Sequence, residues 1–303
     1  MRRKIKIILN PMADMGNAWR VARDLRSITE QHGGIDWSGT VYPGHAIDLA
    51  KKSEGYDMVI AMGGDGTVHE VMNGLMQIPE DKRPILGVVP VGSGNDFGHG
   101  IGASTKPTEA LTRAINGEPS TVDLGLMTDG EGRREYFDNT LGIGFGATVT
   151  IRSHQIPLLR GFLMYLTAVL QTIIIDHNPI QMQLETDGEK WEQSVIYLII
   201  CNGPREGGGF LIAPDAKIDD GIFHYAMITN VSRLMMLRIV PEVMKGTHGR
   251  FKQVKMGTCK KFTLTADRPL YIHADGEIYS GPGTDLRKVS FEILPNALKV
   301  VKG

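Results

Sequence analysis

Two short glycine-rich loops constrain this chain more than any other feature. Asp57 to Met62 (DMVIAM) is an apolar run ending in Gly63-Gly64-Asp65-Gly66-Thr67, and Ile85 to Val91 (ILGVVPV) is a second, ending in Gly92-Ser93-Gly94-Asn95-Asp96. Continuous apolar runs belong to strands covered on both faces. Here they alternate with helical periods: Ala18 to Gln31 carries Trp19, Ala22, Leu25 and Ile28 on one spacing, and Val68 to Met76 follows the first loop. Together with Lys4 to Leu9, which stops at Asn10-Pro11, the pattern predicts an α/β domain with a mainly parallel sheet. Such sheets bind ligands beyond the carboxyl ends of their strands, so the three segments are expected on one edge.

The period changes near Asp123. Phe137 to Ile151, Pro179 to Glu185, Ser194 to Cys201, Gly221 to Ile228, Lys261 to Thr265, Leu270 to Ala274 and Lys288 to Leu294 read as strands, separated by DG, GGG, DDG and GPG turn signals. Two helical inserts, Leu158 to Ile175 and Ser232 to Lys245, interrupt them. A β-rich domain over 124–294 is therefore expected after an α/β domain over 1–123. An apolar fraction of 42% excludes a disordered chain, and a formal charge of -1 argues against a dedicated nucleic-acid binder. Cys201 and Cys259 lie far apart without metal-ligand spacing and read as two buried thiols of a reducing, cytoplasmic compartment. The run Gly161 to Ile175 is too short for the roughly 20 residues of a bilayer span.

The glycines of GGDGT let backbone approach phosphate oxygens, their amides can form an anion nest, and the helix that follows offers its positive end. Thr67 can cap that helix or touch phosphate, whereas the Asp65 carboxylate repels phosphate unless Mg2+ lies between them. In the second loop Ser93 and Asn95 can donate to phosphate or ribose, and Asp96 can hold the loop or accept from a substrate hydroxyl. Neither loop is a GxxxxGK[ST] or GxGxxG motif. Ten of the 37 glycines fall between Gly63 and Gly102, so the glycine surplus is concentrated where these loops lie.

Read together, Asn10-Pro11, Thr40 before Gly44-His45-Ala46, GGDGTVHEVMNGL (63–75), PVGSGNDF (90–97), VDLG (122–125), NTLGIGFGA (139–147), GGGFLIAPDAKIDDGIF (207–223) and HADGE (273–277) resemble the diacylglycerol kinase catalytic domain family, in particular bacterial soluble lipid kinases related to sphingosine and ceramide kinases. The resemblance implies an NAD kinase- or phosphofructokinase-like first domain, to which residues 295–303 return, and a C-terminal β-sandwich domain with the two helical inserts over 124–294. It also implies transfer of the ATP γ-phosphoryl group, with Mg2+, to a lipid hydroxyl. Asn10, Pro11, Met12, Ala13, Asp14, Thr40, Gly63, Gly64, Asp65, Gly66, Thr67, Val68, His69 and Ser93 would then surround ATP, with Gly92, Gly94, Asn95 and Asp96 completing the second loop. Asp65 would organise Mg2+ through water. A structural Mg2+ would sit at Asp220 with the carbonyls of Lys217 and Ile222. The chain has Gly144-Phe145-Gly146-Ala147 where the family often has GFDA, and its first loop carries no basic residue before Arg20.

A lipid alcohol attacks phosphorus well only if a base accepts its proton. Asp275 is the first candidate; Glu277, two residues on and on the same face of an extended segment, is the second. Between Arg233 and Lys261 the chain carries eight basic residues against the single acid Glu242, a local charge of +7 suited to transient contact with an anionic membrane surface. Leu158, Leu159, Phe162, Leu163 and Met164 can line an acyl pocket or a core face, and Arg152 and Arg160 are the nearby cations. A peripheral enzyme acting on a diacylglycerol-like or related lipid alcohol is the leading expectation, with a homodimer left open. The rivals are an NAD kinase, which shares GGDGT, and a non-catalytic nucleotide-dependent lipid-binding protein.

Overall fold

The apolar runs of the first domain fold as parallel strands. In this computed structural model, which describes residues 2–156, 159 and 161–303, the chain divides into two units. Unit 1 comprises the residues up to Val122 with Asn296–Gly303, and unit 2 comprises Asp123–Pro295. In unit 1, β1 (Ile5–Leu9), β2 (Ile35–Gly39), β3 (Met58–Gly63) and β4 (Ile85–Pro90) pair in parallel in the order β2-β1-β3-β4. The chain steps outward from β1 to β2 and then returns past β1 to β3, which makes the carboxyl ends of β1 and β3 a topological switch point.

Helices α1 (Asn17–His32), α2 (His45–Lys51), α3 (Asp65–Leu75), α4 (Asp96–Gly100) and α5 (Pro107–Asn116) complete the unit. Leu25 of α1 and Leu111 of α5 bury themselves against Ile5, Ile7, Ile60 and Met62 on one face of the sheet. Lys6, out of phase with Ile5 and Ile7, sends its ammonium to the Leu49 carbonyl of α2 at 2.8 Å, so α2 covers the other face. α3 packs on α2 across Gly74, where an added Cβ would lie 2.5 Å from the Ile47 carbonyl.

Unit 2 contains β5 (Pro119–Asp129), whose first residues belong to unit 1, β6 (Arg134–Phe137), β7 (Thr140–Gly144), α6 (Phe145–Ser153), α7 (Gly161–Ile175), β8 (Ile180–Thr186), β9 (Glu189–Cys201), β10 (Phe223–Thr229), α8 (Arg233–Met244), β11 (Val254–Cys259), β12 (Lys261–Ala266), β13 (Ile272–Ala274), β14 (Glu277–Ser280) and β15 (Lys288–Val301). The last residues of β15 lie in unit 1, where Val300 pairs with Leu86. Pairing within unit 2 is antiparallel, as in β7 with β9, β9 with β8 and β10, and β12 with β8 and β15. Phe137, Phe223, Phe262 and Phe291 fill the core between the strands. The opposite face of β9, with Ile196, Ile199 and Cys201, packs against α6, α7 and α8.

One sequence expectation fails. Phe137 to Ile151 reads as a strand because it is apolar and β-branched, yet the strand ends at Gly144, whose φ of 75° turns the chain into α6. Both cysteines are buried as the sequence suggested, and burial pushes the Cys259 thiol up to about 12 and Cys201 well above its usual range.

The start of α2 is held by a side chain remote in sequence. Glu70 of α3 accepts from the backbone N–H of Gly44 at 2.8 Å and of Ala46 at 3.0 Å, satisfying amides at a helix end that has no side-chain cap of its own. Glu70→Ala is therefore expected to lower unfolding free energy by about 1–2 kcal/mol, read as a lower denaturant midpoint at unchanged m-value.

Candidate active site

In unit 1 the ladder continues one residue past each strand. Asn10 N–H donates to Met62 O at 3.0 Å, Thr40 N–H to Leu9 O at 2.8 Å and Val91 N–H to Gly63 O at 2.8 Å. Asn10, Thr40, Gly64 and Gly92 therefore emerge level on one edge, as the alternating pattern predicts. The two glycine loops touch through their backbones: a Cβ on Gly92 would lie 2.3 Å from Gly64 Cα. Asp65 locks them, its Oδ2 accepting from Asn95 N–H at 2.7 Å and its Oδ1 from Asp96 N–H at 2.6 Å. At the N-terminus of α3 this carboxylate is also favourably placed in the helix dipole.

The other loop side chains divide by exposure. Asn95, at φ 54°, folds back on its own loop, accepting from Gly92 N–H and donating to Gly92 O. Asp96 is buried and fits the loop-holding role. Thr67 is buried, with Asn10 Nδ2 donating to its hydroxyl at 3.3 Å, and Gly63 is required because its Cβ would meet that hydroxyl at 2.3 Å. Val68 and His69 are buried too, His69 lying beside Asn73 within α3. Ser93 is exposed, and Gly64, Asp65, Gly66, Gly94, Thr40 and Pro11 are half-buried. Met12 is exposed, with Ala13 half-buried beside it, and Asp14 accepts from Asn17 Nδ2 in a left-handed turn over Asp14, Met15 and Gly16.

In unit 2 the HADGE segment separates the two carboxylates by role. Asp275 is buried at φ 51° and accepts three backbone N–H groups, from Asp138 at 3.0 Å, Asn139 at 2.9 Å and Thr140 at 3.0 Å. Glu277 opens β14, is exposed, and makes no hydrogen bond or ion pair among the described residues. Geometry thus gives Asp275 an anchoring position and leaves the Glu277 side chain exposed.

The segment 217–222 is a tight turn. Asp220 Oδ1 accepts from Ile222 N–H at 3.3 Å, its Oδ2 lies 3.4 Å from His224 Nε2, and Gly221 N–H donates to Asp123. One carboxylate with neighbouring carbonyls suits Mg2+, which keeps several waters, although no group of three or more His, Cys, Asp or Glu forms a metal cluster among the described residues. Gly207 and Gly209 serve a different purpose from metal binding. Tyr165 and Phe162 of α7 pack on them so closely that added Cβ atoms would approach those rings to 2.8 and 2.7 Å.

A small apolar pocket lies under α6, α7 and α8. Phe145, Val149, Val169, Phe210, Met236 and Val243 are among its apolar walls, and Glu206 is its one carboxylate. Of the insert residues for which the sequence left an acyl pocket or a core face open, Phe162 packs on Phe210 of the core, Met164 is half-buried, Leu159 and Leu163 are exposed, and Leu158 and Arg160 lie outside the described residues. Arg152 is taken up by an ion pair with Asp176. Sequence reasoning missed Glu206 because it precedes a glycine run that reads as a turn. The available signal was an acid separated from the apolar Phe210-Leu211-Ile212 only by the three glycines. The outward sides of the same helices are apolar as well, with Leu163 61%, Ile174 65% and Leu234 78% exposed, and Arg233 and Arg238 beside Leu234.

Residues 4–127 match the model of the diacylglycerol kinase catalytic domain, and residues 139–302 match that of the YegS C-terminal NAD kinase beta sandwich-like domain. A protein of Chromohalobacter salexigens named "Probable lipid kinase YegS-like" is 37% identical over 210 residues, covering 67% of this chain and 63% of its own length. A protein of the same name from Yersinia pestis is 30% identical over 243 residues, covering 80% of this chain and 77% of its own. The crystal structure of a diacylglycerol kinase from Bacillus anthracis shares the fold, with a TM-score of 0.71 at 19% identity over 100% of this chain and 97% of that one. No described helix is long and apolar enough to cross a membrane.

Asp275→Asn replaces one acceptor oxygen with a donor facing backbone N–H groups. The variant is expected to lose about 1–3 kcal/mol of stability, measured by denaturant unfolding, whatever happens to its activity.

Proposed function

This chain belongs to the diacylglycerol kinase catalytic-domain family with a YegS-type C-terminal domain, and from that premise we propose that it transfers the γ-phosphoryl group of ATP to the hydroxyl of a diacylglycerol-like or related lipid. The observation that carries the reading is the apolar pocket of unit 2, walled by two helices whose outer faces are also apolar. A helix that is hydrophobic on both sides outside a membrane span has an interaction surface, and a pocket beneath it is a place for an alkyl chain. An NAD kinase would have no use for either feature.

In unit 1 the edge formed by Asn10, Thr40, Gly64, Gly66 and Ser93 supplies backbone amides and hydroxyls to ATP, with the end of α3 favouring its phosphates. Mg2+ bound with the nucleotide supplies charge neutralisation, with Asp65 as the loop carboxylate able to orient it through water. Asp220, with the carbonyls of Lys217 and Ile222, is the place for a structural Mg2+. In unit 2 the lipid chain enters the pocket while Glu277 accepts the proton of the attacking hydroxyl. The new bond joins the lipid oxygen to phosphorus, the bond to the β-phosphate oxygen breaks, and ADP leaves. Asp275 holds the Asp138–Thr140 backbone and acts as a positioning residue.

The base assignment separates the two carboxylates experimentally. Glu277→Gln is expected to lower kcat by about 10²–10⁴-fold with an unchanged melting temperature, because its side chain is exposed and unpartnered. Transfer of labelled phosphate from ATP to a lipid panel tests the activity itself. A protein that binds nucleotide and lipid but yields no Mg2+-dependent product is the non-catalytic rival.

The outer face of α7 and α8 is proposed as the membrane contact, with Arg233 and Arg238 at its margin. A surface-proximal basic residue contributes about 1 kcal/mol on anionic lipid. Paired Ile174→Glu and Leu234→Glu substitutions should reduce co-sedimentation with vesicles containing an anionic phospholipid by about tenfold or more, because each replaces an apolar contact with a charge that the anionic surface repels. Turnover on lipid dispersed in detergent should be retained.

A further inference from the structure

We propose that Glu206 determines which lipid alcohol the pocket accepts: it selects an acceptor carrying a second hydrogen-bond donor, a hydroxyl or an amine, beside the hydroxyl that is phosphorylated. This inference rests on the kinase reading above and deepens it.

Glu206 lines the pocket and is only 5% exposed. Its Oε2 accepts from the Tyr197 hydroxyl at 2.9 Å. Its Oε1 lies 2.9 Å from Nε2 of the fully buried His273, yet the two are not aligned as a hydrogen bond, and both atoms lack a hydrogen-bond partner. Burial pushes the Glu206 carboxyl up, but the adjacent His273 ring and the Tyr197 and Tyr165 hydroxyls outweigh it and hold the group below the usual carboxylate range. The pocket wall therefore carries a buried carboxylate whose Oε1 is paired in charge with His273 but makes no aligned hydrogen bond.

Backbone connections fix where this acceptor sits. Glu206 and Phe210 exchange hydrogen bonds of 2.9 and 3.0 Å, which rigidifies the turn. The Asn139 side chain donates to Arg205 O at 2.9 Å while its backbone N–H donates to Asp275 at 2.9 Å, and His273 stands two residues before Asp275. Glu206 thus marks the end of the pocket next to the HADGE segment, and Met236, Ile239 and Val243 of α8 line it elsewhere. A chain laid along those residues brings its polar end to Glu206. There a 1,2-diacylglycerol offers an ester beside its free hydroxyl, an acceptor facing an acceptor. A 1-monoacylglycerol offers a hydroxyl, and a long-chain 2-amino-1-alcohol an ammonium, each able to donate to Oε1. A buried acceptor left without a donor is penalised, so sites of this kind discriminate strongly against the analogue that lacks one.

The test compares kcat/KM for these three lipids, matched in chain length and presented in mixed micelles, on the full chain and on Glu206→Leu and Glu206→Gln. The unsubstituted protein should favour the two donor-bearing lipids over diacylglycerol by roughly ten- to hundredfold. Glu206→Leu should bring that ratio close to one, and the isosteric Glu206→Gln should lower it several-fold, because a charged acceptor bonds about twice as strongly as a neutral one. A ratio near one in the unsubstituted protein, or a ratio that neither variant moves, overturns the inference. A ratio within one protein is insensitive to general loss of activity, so a purely structural role for Glu206 would not shift it. If no lipid is phosphorylated the kinase reading falls. The inference is then decided by the same comparison made as lipid-induced shifts in melting temperature, larger for the donor-bearing lipids, equalised in Glu206→Leu and narrowed in Glu206→Gln if it holds, equal in the unsubstituted protein if it does not.

Discussion

An aspartate carboxylate that accepts neighbouring backbone amides of another loop sets the geometry of both candidate clusters. Asp65 takes the amides of Asn95 and Asp96, and Asp275 takes those of Asp138, Asn139 and Thr140. Hydrogen bonds to a charged group contribute about 1.5–3 kcal/mol each, roughly twice the neutral value, and consecutive amides cannot satisfy themselves inside a tight loop. The contact between Gly64 and Gly92 follows from the first lock, since pulling the second loop onto Asp65 leaves no room for a Cβ on Gly92. The second lock holds a left-handed residue, Asp275, in place and releases Glu277 two positions later into solvent.

These locks explain which parts of the molecule could be read from sequence. Strand ends, glycine loops and the change to a β-rich second unit are local properties: apolar runs, turn residues and periodicity lie within a few positions of one another. The hydrogen bonds that assign roles are not local. Glu70 caps a helix more than twenty residues earlier, and Asp275 serves amides more than a hundred residues away. A sequence motif such as HADGE identifies two carboxylates but cannot say which one the fold consumes. The expected strand through Ile151 failed for a related reason, because one positive-φ glycine outweighed the β propensity of Val149 and Ile151.

The two inserts show the same limit in another form. Leu159, Phe162, Leu163 and Met164 are apolar and close in sequence, which suits an acyl pocket or a core face alike, but a helix distributes neighbours around its axis. Tyr165 and Val169, four positions apart, face the pocket, whereas Leu163, Leu170 and Ile174 face outward. The basic segment is likewise divided by contacts the sequence conceals. Arg233 donates to the Ile173 carbonyl, Arg250 pairs with Glu242 and Lys255 donates to Gln193, so its cations are not all equally available to anionic lipid.

Glu206 stands apart from both patterns. The two aspartates grip backbone, and their charge is used in building a loop, whereas the Glu206 carboxylate meets side chains, those of Tyr197, Tyr165 and His273. A buried charge pair is weak as a stabilising device, since apolar side chains of similar volume often replace such a pair without loss. The surrounding walls are already apolar, so hydrocarbon in place of Glu206 and His273 would continue an existing core. What hydrocarbon could not provide is an acceptor oxygen inside the pocket, beside His273, which stands two residues before Asp275. The position and chemistry of Glu206 therefore bear on what enters the pocket more than on what holds the fold together.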